Sequence, residues 1–490
     1  MRRNIISNYA GAGWSAFVSF ITIPFLLAIL GAESYGLIAL FLTIKTISQA
    51  FDFGLAVSSN REVAYRIGLK EKSVFDYIVT VEVMAWVLGI FLSTLIWLII
   101  TFSLKDLVSV KILRDDQLFM ITILFCISLI GSWPVLLYQN VLRGLNDHVK
   151  FNVVLIVVST LRNPGALLVL WFFSSTVQAY MIWFLMVSVF EVIVYRRIMN
   201  KRVKTLSPGI YGKFNFNSLQ GMKGFALGAG VSSIFATLIY QSDKILISMY
   251  LDLVSVGYYS ALLALVGIFG KLTTPIVKTV FPGMTAALSE GNTEGVVYLY
   301  VHFARLIANT LLPMMVTVIV FSNQILMLWL PEEADIFMLS KVLSALCIAY
   351  VFYSLANIPI IIHIVFKKVR LLVFSRVVAL ILLVPSLIYL IDEFKLLGAA
   401  VGVLVCSILL YFILIISVSR RLFPGHVVGH LRMLLHPLLI TVVIFILLQI
   451  IKQFFTENDL IQVVSCLFGL TMSYILIFRR LSSKLFRRVM

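Results

Sequence analysis

Charge is what this sequence has little of. Only 12% of its 490 residues are charged and 61% are apolar, whereas a soluble domain carries about 25% charged residues. That ratio excludes a water-soluble fold, because the apolar surplus must face lipid. Acidic residues are scarcer still, 22 Asp and Glu against 39 Lys and Arg, for a net charge of +17. An excess of this size can mark a nucleic-acid binder. Here the cations fall mostly between apolar runs, where the positive-inside rule places them, so no nucleic-acid partner is expected. The four cysteines, Cys126, Cys347, Cys406 and Cys466, all sit inside apolar runs. They read as reduced packing residues, which excludes a disulfide framework. No G-x-x-x-x-G-K-[ST] loop is present: Gly270-Lys271 lacks both the upstream Gly and the following Ser or Thr. Walker-type nucleotide hydrolysis is thereby excluded, and no cofactor is expected. Metal ligands are equally sparse. His426 and His430 are four apart, but they follow Pro424-Gly425 in a basic loop and make a weak zinc motif.

What is there is a series of apolar runs. Fourteen are long enough to cross about 30 Å of hydrocarbon, the last at 460–478. The expected fold is all-α: a polytopic membrane protein of about 14 transmembrane helices. The first run, after Met1-Arg2-Arg3, has no small-x-small cleavage pattern and reads as an uncleaved helix. Loops on the side of the N-terminus hold 26 Lys and Arg against 5 in the opposite loops, which predicts that both termini are cytoplasmic. The basic stretch 198–223 reads as a cytoplasmic linker between two six-helix lobes, 1–197 and 224–418, with two further helices and a tail in 419–490. A shift of 221 residues sets Leu30 on Leu251, Ser34 on Ser255 and Gly36 on Gly257. Helices one and two thus align with seven and eight, an internal repeat of the kind transporters show.

Charges inside the runs mark the candidate site, since one near the bilayer centre costs roughly 2.5–3.5 kcal/mol. Two helical stripes carry them: Lys45, Ser48, Gln49 and Asp52, and Lys271, Thr274, Pro275 and Lys278, each at i, i+3, i+4 and i+7. Lys45, Arg162 and Lys271 come nearest the midplane, with Asp52, Asp243, Lys244 and Lys278 off-centre but inside. Glu82, Glu191, Arg305, Lys341 and Arg376 lie close enough to the predicted helix ends to snorkel. The deep set is then five cations, Lys45, Arg162, Lys244, Lys271 and Lys278, against two anions, Asp52 and Asp243. Turned toward a wet cavity, that balance suits an anionic substrate. The two carboxylates are the candidates for ion coupling. Pro164, after Arg162-Asn163, should open its helix; Pro24, Pro134, Pro275, Pro313 and Pro359 repeat the theme. Several broken helices favour a moving transporter over a rigid anchor.

The opening residues add a resemblance. Asn8 with Gly11 and Gly13, Leu30-Gly31-x-x-x-Tyr35-Gly36, Asp52-Phe53-Gly54-Leu55 and Asn60-Arg61-Glu62-x-Ala64 resemble the start of bacterial O-antigen and polysaccharide repeat-unit flippases. Phe281-Pro282, followed by Glu290-Gly291-Asn292, is similar to the same group, which belongs to the multidrug/oligosaccharidyl-lipid/polysaccharide exporter superfamily. The resemblance implies two six-helix lobes around a central cavity. It further implies alternating access that moves an undecaprenyl-pyrophosphate-linked oligosaccharide between leaflets of the bacterial inner membrane. Contacts with the polymerase and chain-length proteins of that pathway would follow. A peptidoglycan-precursor flippase fits the charge nearly as well. A drug/cation antiporter would call for an acidic cavity, and a polymerase or O-antigen ligase for large outside loops. The expected function is transport, not catalysis.

Overall fold

The structure, a computed structural model, describes residues 2–69, 71, 73–107, 114–206, 212–219, 223–421 and 427–454. Its helices are α1 (Arg2–Leu30), α2 (Ala32–Ala50), α3 (Leu55–Gly68), α4 (Ser73–Leu107), α5 (Asp115–Ile130), α6 (Ser132–Gly144), α7 (His148–Arg162) and α8 (Pro164–Phe172). They continue with α9 (Val177–Leu206), α10 (Lys223–Tyr250), α11 (Leu253–Ser289), α12 (Thr293–Val320), α13 (Ser322–Trp329), α14 (Ile336–Val365), α15 (Val369–Arg421) and α16 (Val427–Phe454). One 3-10 turn, Phe216–Leu219, joins them, and no strand occurs among the described residues. Helix is the expected outcome, because in hydrocarbon each backbone N–H and C=O must be satisfied within its own segment. Among the described residues nine helices are long and apolar enough to span a membrane, or ten if one bent pair counts as a single span. The fourteenth predicted run lies outside the described residues, as do Cys466 and the side chains of His426 and His430.

Several runs that read as single spans are broken. The second becomes α2 and α3, bent by 50°. The chain turns there through Phe53 and Gly54, both at positive φ, 51° and 77°. Asp52 holds this corner: Oδ1 accepts from the Gly54 N–H at 2.8 Å and Oδ2 from the Ala56 N–H at 3.0 Å. A carboxylate at this place satisfies donors that the first turn of α3 leaves without helical partners. The fifth run breaks after Arg162, and α8 begins on Pro164. Two further runs share α15, parted at Lys395, where φ 53° and ψ −131° interrupt the helix.

Contacts divide the chain inside α11, into Met1–Leu265 with Arg376–Leu396 and Val266–Ser375 with Leu397–Met490. In the first unit α1 packs along α7. There the two N–H groups of the Asn152 amide are shared among Ser7 Oγ at 2.9 Å, Asn8 Oδ1 at 2.7 Å and, in its own helix, His148 O at 2.7 Å. Gly11 gives that amide its space, so the opening Asn and Gly have a packing reason. Residues of the basic stretch are fastened to the same unit: the Lys213 N–H donates to Asp76 Oδ1 (2.6 Å), the Asn215 N–H to Thr80 Oγ1 (2.9 Å), and Arg66 Nη2 to Ser218 O (2.6 Å).

The repeat is visible as a contact. Under the 221-residue shift the first residue of α2, Ala32, lands on the first residue of α11, Leu253. The two helices cross at Gly36 and Gly257, the residues the same shift pairs. A Cβ on Gly36 would lie 1.8 Å from the Leu253 carbonyl oxygen, and one on Gly257 would lie 2.3 Å from the Ala32 carbonyl oxygen. Each glycine meets the backbone of the other's equivalent neighbour, which is the signature of a local two-fold relation.

In the second unit α12 packs against α14 and α16, with Val316, Val320, Phe321 and Leu448 as a core. His363 of α14 is buried in the same unit. Its Nδ1 is 2.7 Å from Pro359 O and its Nε2 2.9 Å from Ser417 Oγ. A carbonyl only accepts, so Nδ1 carries the proton; in the neutral ring Nε2 then accepts from the serine hydroxyl.

Candidate functional site

Helix α9 decides the site. It runs without a break for 30 residues, about 45 Å at 1.5 Å per residue. The sequence reading ends this helix at 197, which leaves Glu191 near its end. The structure corrects that placement. The Arg-, Lys- and Asn-bearing stretch continues the helix to Leu206, because Lys and Arg are nearly as good helix formers as Leu. Glu191 therefore lies in the middle of α9 and is 9% exposed.

Arg162 reaches it from α7. As the last residue of that helix, before Asn163 and Pro164, Arg162 points its Nη2 to Glu191 Oε2 at 2.7 Å. The break frees the Leu161 carbonyl, and Trp183 Nε1 of α9 donates to it at 2.7 Å. One turn before Ser188 and about two turns before Glu191 stands Phe184, buried, with Arg162 Cζ 5.0 Å from its ring centroid. Lys45 of α2 sets its Nζ 5.2 Å from the same centroid. One aromatic ring thus takes two cations from two helices, contacts worth about 0.5–2 kcal/mol each.

Beside these groups is a cavity of about 310 Å³ lined by Lys45, Gln49, Gln139, Arg162, Ser188 and Glu191, among others. Ser132 also borders it, and its buried Oγ has no hydrogen-bond partner; nor has Arg162 Nε. The volume lies at the lower edge of the about 300–1,000 Å³ of small-molecule pockets. It admits one charged group, not a whole oligosaccharide.

The other predicted residues stand elsewhere. Lys244, in α10, is partly buried, and its neighbour Asp243 is buried. Asp243 Oδ2 accepts from the Tyr259 hydroxyl at 2.9 Å and Oδ1 from the Lys244 N–H at 2.8 Å. Asp52 caps α3. Lys271 is exposed on the part of α11 that belongs to the second unit. Lys278 lies in the same helix, and its side chain is outside the described residues. Asp52 and Asp243 are not the only deep carboxylates, because Glu191 joins them. Glu82 is held too: the Tyr138 hydroxyl and Arg196 Nε both donate to its Oε1 at 2.8 Å. Arg376 Nη1 donates to Ser232 O at 2.6 Å and also meets Ser232 Oγ, so it does not snorkel. Lys341 is exposed near the start of α14, whereas Arg305, also exposed, stands in the middle of α12 and not near its end. Phe184, Ser188, Glu191 and Tyr195, spaced i, i+4, i+7 and i+11, are the signal that marks this face of α9. Among the described residues no group of three or more His, Cys, Asp or Glu could hold a metal ion.

The sequence model of the family described as polysaccharide biosynthesis protein matches residues 1–288, more than half of the chain. The chain belongs to that family. The chain is similar to a Shigella flexneri protein named "Putative O-antigen transporter", 23% identical over 418 residues, 82% of this chain and 93% of that protein. Among solved structures the chain is similar to the lipid II flippase MurJ in an inward closed conformation, with a TM-score of 0.71 at 14% identity over 98% of this chain and 99% of that one. It is also similar to an inward-facing multidrug resistance MATE family transporter of the MOP superfamily, with a TM-score of 0.63 at 14% identity over 88% and 94%. The chain is therefore a multi-pass membrane protein, helical in its described residues, with the fold of these flippases and transporters.

Proposed function

We propose that this protein flips undecaprenyl-pyrophosphate-linked O-antigen or polysaccharide repeat units from the cytoplasmic to the periplasmic leaflet of the inner membrane, by alternating access between lobes 1–197 and 224–418. The observation that carries the proposal is the meeting of Lys45 and Arg162 on Phe184, beside a polar cavity sized for one charged group. A pyrophosphate supplies such a group, and charge-assisted hydrogen bonds would hold it. Lys244, Lys271 and Lys278 are proposed as further anion contacts along its route. The drive is an ion gradient or the membrane potential. An anion leaving an inside-negative cell gains about 2.3 kcal/mol per charge per 100 mV. Asp52 and Asp243 are the proposed ion carriers. Polymerase and chain-length proteins would receive the product.

A second reading is favoured by one observation, the full-length likeness to the lipid II flippase: the cargo would then be a peptidoglycan precursor, whose pyrophosphate suits the same cations. Complementation separates the two. The chain is expected to restore surface polysaccharide to a strain lacking its repeat-unit flippase and to leave depletion of the lipid II flippase lethal. The opposite pattern would establish the second reading.

A further inference from the structure

We propose that Glu191 is the release residue of this site, an internal carboxylate that takes the place of the substrate's oxyanion on Arg162 and competes with it. This rests on the reading of the Lys45–Arg162 cavity as the anion site. The geometry that points to it is the half-filled guanidinium edge. Glu191 Oε2 sits on Nη2 at 2.7 Å, while Nε, on the same edge, is buried without a hydrogen-bond partner. A guanidinium offers Nε–H and one Nη–H as a parallel pair that matches a carboxylate or phosphoryl group. Here the resident carboxylate is recorded on only one of those two donors. Lys45 shares the Phe184 ring with Arg162, and no carboxylate among the described residues forms an ion pair with it. An oxyanion entering from the cavity finds Arg162 Nε, the Lys45 ammonium and the unpartnered Ser132 hydroxyl, and displaces Glu191 from Nη2.

A carrier must hold its cargo and then let it go. An Arg inside a helical bundle, left bare when the anion departs, would bear a large desolvation cost, and it would bind the anion too tightly to release it. A tethered carboxylate removes both difficulties. When the oxyanion leaves, Glu191 returns to Arg162, and while Glu191 is on Arg162 the site is only fractionally competent. The apparent affinity falls by that fraction.

The test uses the full-length protein in nanodiscs, with inorganic pyrophosphate as the binding probe and export of lipid-linked repeat units by cells as the transport readout. Glu191→Gln keeps the shape of the side chain and removes the competing charge. It is expected to bind pyrophosphate about tenfold more tightly or better and to export more slowly, a split between affinity and turnover that a merely structural role would not produce. In an Arg162→Gln background the same change should leave affinity where it was, because the competition has lost its object. Glu191→Asp, which keeps the charge, should retain weak binding, and it guards against a Gln variant that fails to fold. Binding that is equal or weaker in Glu191→Gln than in the wild type would overturn the role of Glu191 alone. Pyrophosphate binding by neither protein, with normal export by Lys45→Ala, would overturn the site reading on which this rests.

Discussion

The crossing of α2 and α11 gives the sharpest test of the repeat. Gly36→Ala places a methyl carbon 1.8 Å from the Leu253 carbonyl oxygen, and Gly257→Ala places one 2.3 Å from the Ala32 carbonyl oxygen. Both obstacles are backbone, so no side chain can swing aside and the helices must part. Relieving 1.8 Å to an ordinary carbon–oxygen contact near 3.3 Å needs about 1.5 Å of separation; relieving 2.3 Å needs about 1 Å. Overpacking of this kind costs about 1–3 kcal/mol, and Gly36→Ala should cost more than Gly257→Ala. The informative variant is the double one. The separation forced by the first methyl also makes room for the second, since the two obstacles lie on one crossing and are related by its two-fold. The double variant should therefore lose less than the two single losses together, by an interaction of at least about 0.5 kcal/mol. Thermal unfolding in detergent, followed by the fraction that remains monodisperse, reads all three. Strict additivity would refute the shared crossing, and wild-type stability in Gly36→Ala would refute the close approach itself.

Lys271→Ala is expected to abolish export while the protein still inserts and accumulates; Lys271→Arg should keep part of the activity and Lys271→Glu should be worse than Ala, since it repels the anion. Equal behaviour of the three at equal protein levels would make this lysine structural. Asp52→Asn loses one of its two backbone acceptor roles and should cost about 1 kcal/mol of stability. If Asp52 and Asp243 also carry the coupling ion, the double Asn variant will lose the pH dependence of transport, and intact transport with intact pH dependence would remove them from the coupling step. Topology follows from loop charge: thiol labelling should find the 198–223 stretch and residue 490 in the cytoplasm and the 103–117 loop outside, and an outside C-terminus would reject the fourteen-helix reading.

Much of this fold is legible in the sequence because hydrocarbon leaves so few options. A long apolar run becomes a helix, and α1, α4 and α14 stand where their hydropathy puts them, whereas α12 starts nine residues ahead of its apolar run, which breaks at Phe321. The paired glycines of the repeat are readable as well, by a shift alone. Lys45 and Arg162 are singled out in the sequence by distance along a helix alone, and the structure brings both to Phe184. What the sequence withholds is the partner. The end of α9 is hidden because Arg197, Lys201 and Lys204 look like a loop by hydropathy and behave as helix formers. With the end misplaced, Glu191 reads as a surface acid, and the meeting of α7 with α9 at its carboxylate cannot be inferred. Asp52 shows the same limit: its burial is predictable, but its two backbone donors depend on a corner at Phe53 and Gly54 that no periodicity announces.

Helix α9 is keyed at three heights. Glu191 meets Arg162, Arg196 Nε meets Glu82 Oε1 at 2.8 Å, and Arg202 Nε lies 3.3 Å from Asp147 Oδ2. Like the cuts of a key, these notches fix both the turn and the depth at which the rod sits. One residue inserted between 191 and 196 would rotate everything below it by about 100° and slide it by 1.5 Å, throwing two of the three cuts out of line at once. Lineages of this chain should therefore tolerate substitutions along the apolar flank of α9 far better than any change in its length, and grafting the helix from a relative should succeed only where the intervals 191–196–202 are kept.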